Sequence, residues 1–159
     1  MNRVPLRAAL SDSEEAVHQA LMRLDPECFN VVVLRYGLSG HKPVPLFRLC
    51  SLLEMNMIKV STLHHAACLV MQNNKFCREA LWSYLLSCEH VVERHADVLR
   101  PHLQKNSFAA TRRIWKLDKR FFEDEDPFFV FSMHMYYDTP CQMVMCYLAD
   151  KERLGSDFG

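Results

Sequence analysis

Leu24-Asp25-Pro26-Glu27-Cys28-Phe29-Asn30-Val31-Val32-Val33-Leu34-Arg35-Tyr36-Gly37-Leu38 spells a helix together with both of its ends. Asp25 can accept from the first free amides, Pro26 tolerates the first turn, and Glu27 suits the positive end of the helix dipole. Cys28, Val31, Val32, Leu34 and Tyr36 carry the helix to Gly37, the residue type that best adopts a left-handed closing turn. Upstream, Ser11-Asp12-Ser13-Glu14 is a capping box, and Val17, Ala20, Leu21 and Leu24 follow it at helical spacing. Downstream, Ser39 to Pro45 is a loop marked by Gly40 and two prolines.

A compact helix pair comes next. Leu46, Leu49, Cys50 and Leu53 make a short amphipathic helix, Glu54-Met55-Asn56 a tight turn, and Val60, Leu63, Ala67 and Val70 or Met71 the inward stripe of a second helix. Asn73-Asn74 punctuates. From Lys75 to Leu99, Phe76, Ala80, Leu81, Tyr84, Leu85, Val91 and Val92 predict one long helix ended by Arg100-Pro101. Ser107 caps a further expected helix that runs to about Phe121-Phe122. In 128–137, Phe129, Phe131, Met133, Met135 and Tyr137 alternate with Ser132 and His134, the period of a short half-buried strand, although no partner strand is evident. Thr139-Pro140 opens a last expected helix with Met143, Val144, Tyr147 and Leu148 inward.

The fold class expected is therefore mainly α, a multi-helix bundle holding a helix-turn-helix-like pair, with a short strand near the C-terminus. The acidic run Glu123 to Asp126 followed by Pro127 divides a helical domain, 1–122, from a C-terminal segment, 123–159, packed on it. With 159 residues, half of them hydrophobic and only four glycines, the chain can bury a real core. Its formal net charge of zero argues against a dedicated nucleic-acid binder. No leader pattern and no membrane-span window occur, so an intracellular location, cytoplasmic or nuclear, is expected. Seven cysteines, an odd number set mostly in apolar runs, read as buried free thiols.

Residues 16–71 resemble region 4 of bacterial σ factors. Leu21, Leu24, Pro26, Glu27 and the run Val33-Leu34-Arg35-Tyr36-Gly37-Leu38 match the first half of that pattern without gaps. Leu46, Leu49, Cys50, Leu53, Met55, Val60 and Leu63 match the apolar skeleton of its helix-turn-helix. The resemblance implies that the second helix of the pair faces DNA, which makes Lys59, Ser61, Thr62 and His65 the DNA-facing candidates. It also places the polymerase-facing surface on the Asp25-to-Tyr36 helix, with RNA polymerase or a transcription factor as partner.

The departures from that pattern matter as much as the matches. Across Met57, Ile58, Lys59, Val60, Ser61 and Thr62 only Lys59 carries a charge, where the family reads bases with Arg, Glu and Gln. Each lost arginine-to-guanine contact removes roughly 1–3 kcal/mol of discrimination, so DNA binding is expected to be weak. Met55, Met57 and Ile58 suit an adaptable protein-gripping surface, with Arg35 and the basic positions Arg112, Arg113 and Lys116 as further partner-binding candidates. Leu46-Phe47, Leu52-Leu53-Glu54 and Ser61-Thr62-Leu63 also resemble, with gaps, a death-effector-type adaptor, and a viral host-modulating protein belongs to the same alternative class.

Other constellations point to less. His64 and Cys68 have the spacing of two metal ligands on a helix, but no second pair completes a tetrahedral site, and they read as a solvent-facing histidine beside a buried cysteine. His134, Cys141 and Cys146 are scattered, and no local signature for a cysteine nucleophile occurs. Arg112, Arg113, Lys116, Lys119 and Arg120 form a basic stripe that reads as a solvated helix face partly neutralised by Glu123 to Asp126. No enzyme, metal, cofactor, membrane or small-molecule substrate is expected.

Overall fold

The structure, a computed structural model, describes residues 2–103 and 125–136. Among these it is all helical: α1 (Asp12–Leu21), α2 (Pro26–Tyr36), α3 (Leu46–Leu53), α4 (Met57–Asn73), α5 (Lys75–Ser87), α6 (Glu89–Leu103) and α7 (Pro127–Tyr136). The helices expected from Ser107 and from Thr139-Pro140, Cys141 and Cys146, and the basic stripe holding Arg112, Arg113 and Lys116, lie outside the described residues.

The helix ends follow from short polar side chains and a glycine. Ser11 accepts the Glu14 amide while the Glu14 carboxylate accepts the Ser11 amide, the reciprocal capping box. Asn56 caps α4 through the Lys59 amide, and Asn74 caps α5 through the Cys77 amide. Asp25 departs from expectation: its side chain caps nothing, and its carbonyl takes the Phe29 N–H instead. Gly37 closes α2 at φ 74°, where a Cβ would stand 2.8 Å from the His41 carbonyl oxygen.

One core joins most of the helices. Val17 and Leu21 of α1, Phe29 and Val33 of α2, Met71 of α4 and Leu81 and Leu85 of α5 are buried in it. Phe128, Phe131 and Met135 of α7 complete it, with α5 lying between α1 and α7 as a shared wall. A smaller cluster of Val31, Leu49 and Val60 seats α3 against α2 and α4.

Two expectations are corrected here. The expected strand within 128–137 is α7, a helix from Pro127 to Tyr136. Phe128, Phe129, Phe131, Ser132, Met133 and Met135 are all buried, so the segment is enclosed on nearly every side rather than on alternate residues. An enclosed segment with no partner strand satisfies its backbone only as a helix. Asp126 starts it by accepting the Phe128 amide on its carboxylate and the Val130 amide on its carbonyl, with Pro127 in the first turn. The long helix expected from Lys75 to Leu99 is two helices. Cys88 leaves helical geometry at φ −102°, ψ 22°, and the neighbouring Ser87 hydroxyl donates to the Tyr84 carbonyl, a local bond that competes with the helix. The second of them, α6, passes Arg100-Pro101 and ends at Leu103, at the cost of the hydrogen bond that proline cannot donate.

Candidate protein-docking face

The α3–α4 pair is assembled by the residues that the sequence pattern singles out. Leu49 and Val60 are fully buried with Val31 of α2, and Leu34, Val44, Leu46, Cys50, Leu53, Met55 and Leu63 pack around them. Glu54 makes the turn in the left-handed region at φ 54°, ψ 47°, and the Met55 amide donates back to the Cys50 carbonyl. The loop before α3 is tied to α2 by the Val44 amide, which donates to the Leu34 carbonyl at 3.0 Å. The pair is thus anchored from inside, which leaves its outer residues unused by the fold.

Those outer residues are large and apolar. Ile58 is 79% exposed, Phe47 66% and Leu52 62%, and Met57 is also exposed. Phe47 and Leu52 belong to α3, and Met57 and Ile58 open α4 directly after the turn. Single exposed apolar residues are ordinary, but four on two short consecutive stretches are the composition of a contact surface. Met57 and Ile58 are therefore accessible as the sequence suggested, whereas Met55 is half-buried in the cluster beneath. Phe47 and Leu52 are the residues that partner-binding arguments from sequence missed. Their signal was present, since Leu49 and Cys50 take the inward positions of an eight-residue helix and leave Phe47 and Leu52 off that stripe.

The DNA-facing candidates are placed as follows. Ser61, Thr62 and His65 lie exposed on α4, and the Thr62 hydroxyl donates to the Ile58 carbonyl of its own helix at 2.7 Å. The Lys59 ammonium, half exposed, lies 3.5 Å from the Glu27 carboxylate of α2. The charge that would meet a phosphate is thus shared with a carboxylate, and the partner-binding candidate Arg35 is engaged as well, its guanidinium 5.9 Å from the centre of the Tyr36 ring.

Arg35 and Tyr36 lead to a polar joint that the sequence did not disclose. The Tyr36 hydroxyl and His64 Nε2 are 3.0 Å apart, and the two rings stack at 5.8 Å. His134 and Phe131 of α7 meet the Tyr36 ring edge-on at 5.6 and 5.4 Å. His64 is therefore turned inward onto α2, which corrects the solvent-facing reading; Cys68 Sγ lies 3.9 Å from His64 Nδ1. Burial, Arg35 and the neighbouring His65 lower the pKa of His64, and burial, Arg35 and His64 lower that of His134 to about 4. Burial raises the Tyr36 phenol and the thiols of Cys28, Cys68 and Cys77, with carboxylates Asp25 and Glu27 adding to the rise at Cys28. At neutral pH the joint is a set of uncharged groups pinned beside one arginine. Thiols shifted upward are poor nucleophiles, and the joint links α2 to α4 by the Tyr36–His64 hydrogen bond and packs both against α7 through the rings of Phe131 and His134.

Cys28, Cys50, Cys68, Cys77 and Cys88 are free thiols. Among the described residues no cluster of three or more His, Cys, Asp or Glu is placed to hold a metal ion, and no helix is long and apolar enough to cross a membrane. No family model, no curated protein and no solved structure matches this chain.

Proposed function

We propose that this protein is a non-enzymatic helical recognition module that grips a protein partner with the outer residues of α3 and the first turn of α4. The observation that carries the reading is the exposure of Phe47, Leu52, Met57 and Ile58 on a helix pair whose inner residues already hold it in place. Apolar side chains of this size become anchors when a partner removes them from water, each burial contributing roughly 1.5–3 kcal/mol before the costs of association. The σ-region-4 resemblance suggests RNA polymerase or a transcription factor as the partner. Because the helix it implies for that contact, α2, buries Cys28, Phe29, Asn30, Val31, Val32, Val33 and Tyr36, the contact is assigned to α3–α4 instead, and DNA reading by Lys59, Ser61, Thr62 and His65 is weak or absent.

One observation favours a second reading, an all-α adaptor with no nucleic-acid role. Lys59, the charge nearest the apolar residues on α4, is paired with Glu27 and adds little attraction for phosphate. Co-purification with tagged RNA polymerase at low salt separates the two. Recovery of the polymerase with the wild-type chain, lost on Ile58→Asp, is the result expected of the transcription reading; absence of polymerase subunits would leave the adaptor. Tight, steeply salt-dependent binding to fluorescent duplex DNA would count against both.

A further inference from the structure

Arg48 is an arginine that the fold does not use. Arg3, Arg7, Arg23, Arg35, Arg78 and Arg94 each hold a carbonyl, a carboxylate or an aromatic ring. The Arg48 side chain has no such partner among the described residues, although it stands exposed on α3 beside Phe47 and one turn before Leu52. An unengaged guanidinium between two exposed apolar anchors, with Met57 following on α4, is the composition of an interface. Its planar fork of donors matches a carboxylate.

The complementary charge lies on the same helix pair. Glu54, exposed in the turn from α3 to α4, also has no ion-pair partner among the described residues. It occupies the left-handed region at φ 54°, where Gly or Asn would close the helix at less cost, so the turn itself has no need of its carboxylate. Ser51 lies midway between Arg48 and Glu54, exposed and small enough to let another helix come close. A face with a cation on one side of a small residue and an anion on the other is its own complement. Turned about a two-fold axis at Ser51, it sets Arg48 against Glu54 of a second copy, and Glu54 against Arg48 of that copy.

We infer that the α3–α4 face takes the same face of a second copy of this chain, closed by two reciprocal Arg48–Glu54 ion pairs around Phe47, Leu52, Met57 and Ile58. The inference rests on the docking role proposed for this face and names an occupant for it. Any other partner then has to displace the second copy before it reaches the apolar residues.

Light scattering and sedimentation of the full wild-type chain across micromolar concentrations are expected to give twice the mass of one chain, falling on dilution. Arg48→Glu and Glu54→Arg each raise the dimer dissociation constant about tenfold or more, because each reversal sets like charges together twice. Both changes in one chain restore it to within about threefold of wild type, since the pairs re-form with their signs exchanged. Ile58→Asp gives single chains. Circular dichroism checks that the variants, all at exposed positions, keep their helices. A single-chain mass for the wild type overturns the inference, as does a dimer indifferent to the two reversals or not restored by their combination. Capture of another protein that is still lost on Ile58→Asp would, in that case, leave the docking face standing and refute only its second-copy occupant.

Discussion

Lowering the pH from 7 to 5 should weaken this fold by about 2 kcal/mol through His134 alone. His134 stands edge-on to Tyr36, with Arg35 and His64 close enough to act on its charge, and its pKa falls from 6.5 to about 4. Between these values the unfolded chain binds a proton that the folded one refuses. Its contribution is therefore fully present above pH 6.5, declines as the pH falls, and is exhausted below about 4, where the loss reaches about 3 kcal/mol. His64, lowered for the same reasons, pulls in the same direction. The assay is urea unfolding of the wild type and of His134→Phe, which keeps a ring against Tyr36 but cannot titrate. The difference in stability between pH 7 and 5 should be smaller in the variant by about 2 kcal/mol. Equal pH dependence in the two proteins, or a His134 titration near 6.5 followed by NMR, would show that His134 does not carry this pH dependence.

Gly37→Ala should destabilise by about 2 kcal/mol or more in chemical denaturation, since a left-handed residue with a Cβ costs roughly 1–2 kcal/mol and the new atom would meet the His41 carbonyl. Leu49→Ala should cost about 2–5 kcal/mol by emptying the small cluster under α3, whereas Ile58→Ala should stay within about 0.5 kcal/mol. Similar losses for the two would show that Ile58 belongs to the core.

Local chemistry made much of this fold readable. The Ser11 box, Pro26, Gly37 and Asn74 announce helix ends through hydrogen bonds that neighbours along the chain complete, and these ends stand where the sequence put them. The α3–α4 pair was legible because Leu46, Leu49, Leu53, Val60 and Leu63 face inward at helical spacing. What long-range packing decides was not legible. Nothing in Phe128 to Tyr136 states that it is enclosed by α2, α4 and α5, so its alternation looked like a strand. The Tyr36–His64–His134 joint brings together residues from three helices, and no spacing along the chain encodes it. The candidate face was legible at Met57 and Ile58, but the pairing of Lys59 with Glu27 requires α4 to lie on α2 before it can be seen.

In the proposed function, Met57 and Ile58 serve recognition and not folding. Partner capture by the Met57→Asp/Ile58→Asp double variant, measured beside its circular dichroism and urea midpoint, tests this most directly. An unchanged helical spectrum, a midpoint close to wild type and loss of the captured partner are expected. Unfolding of the variant would make the two residues part of the core, and undiminished capture by a folded variant would place the docking surface elsewhere.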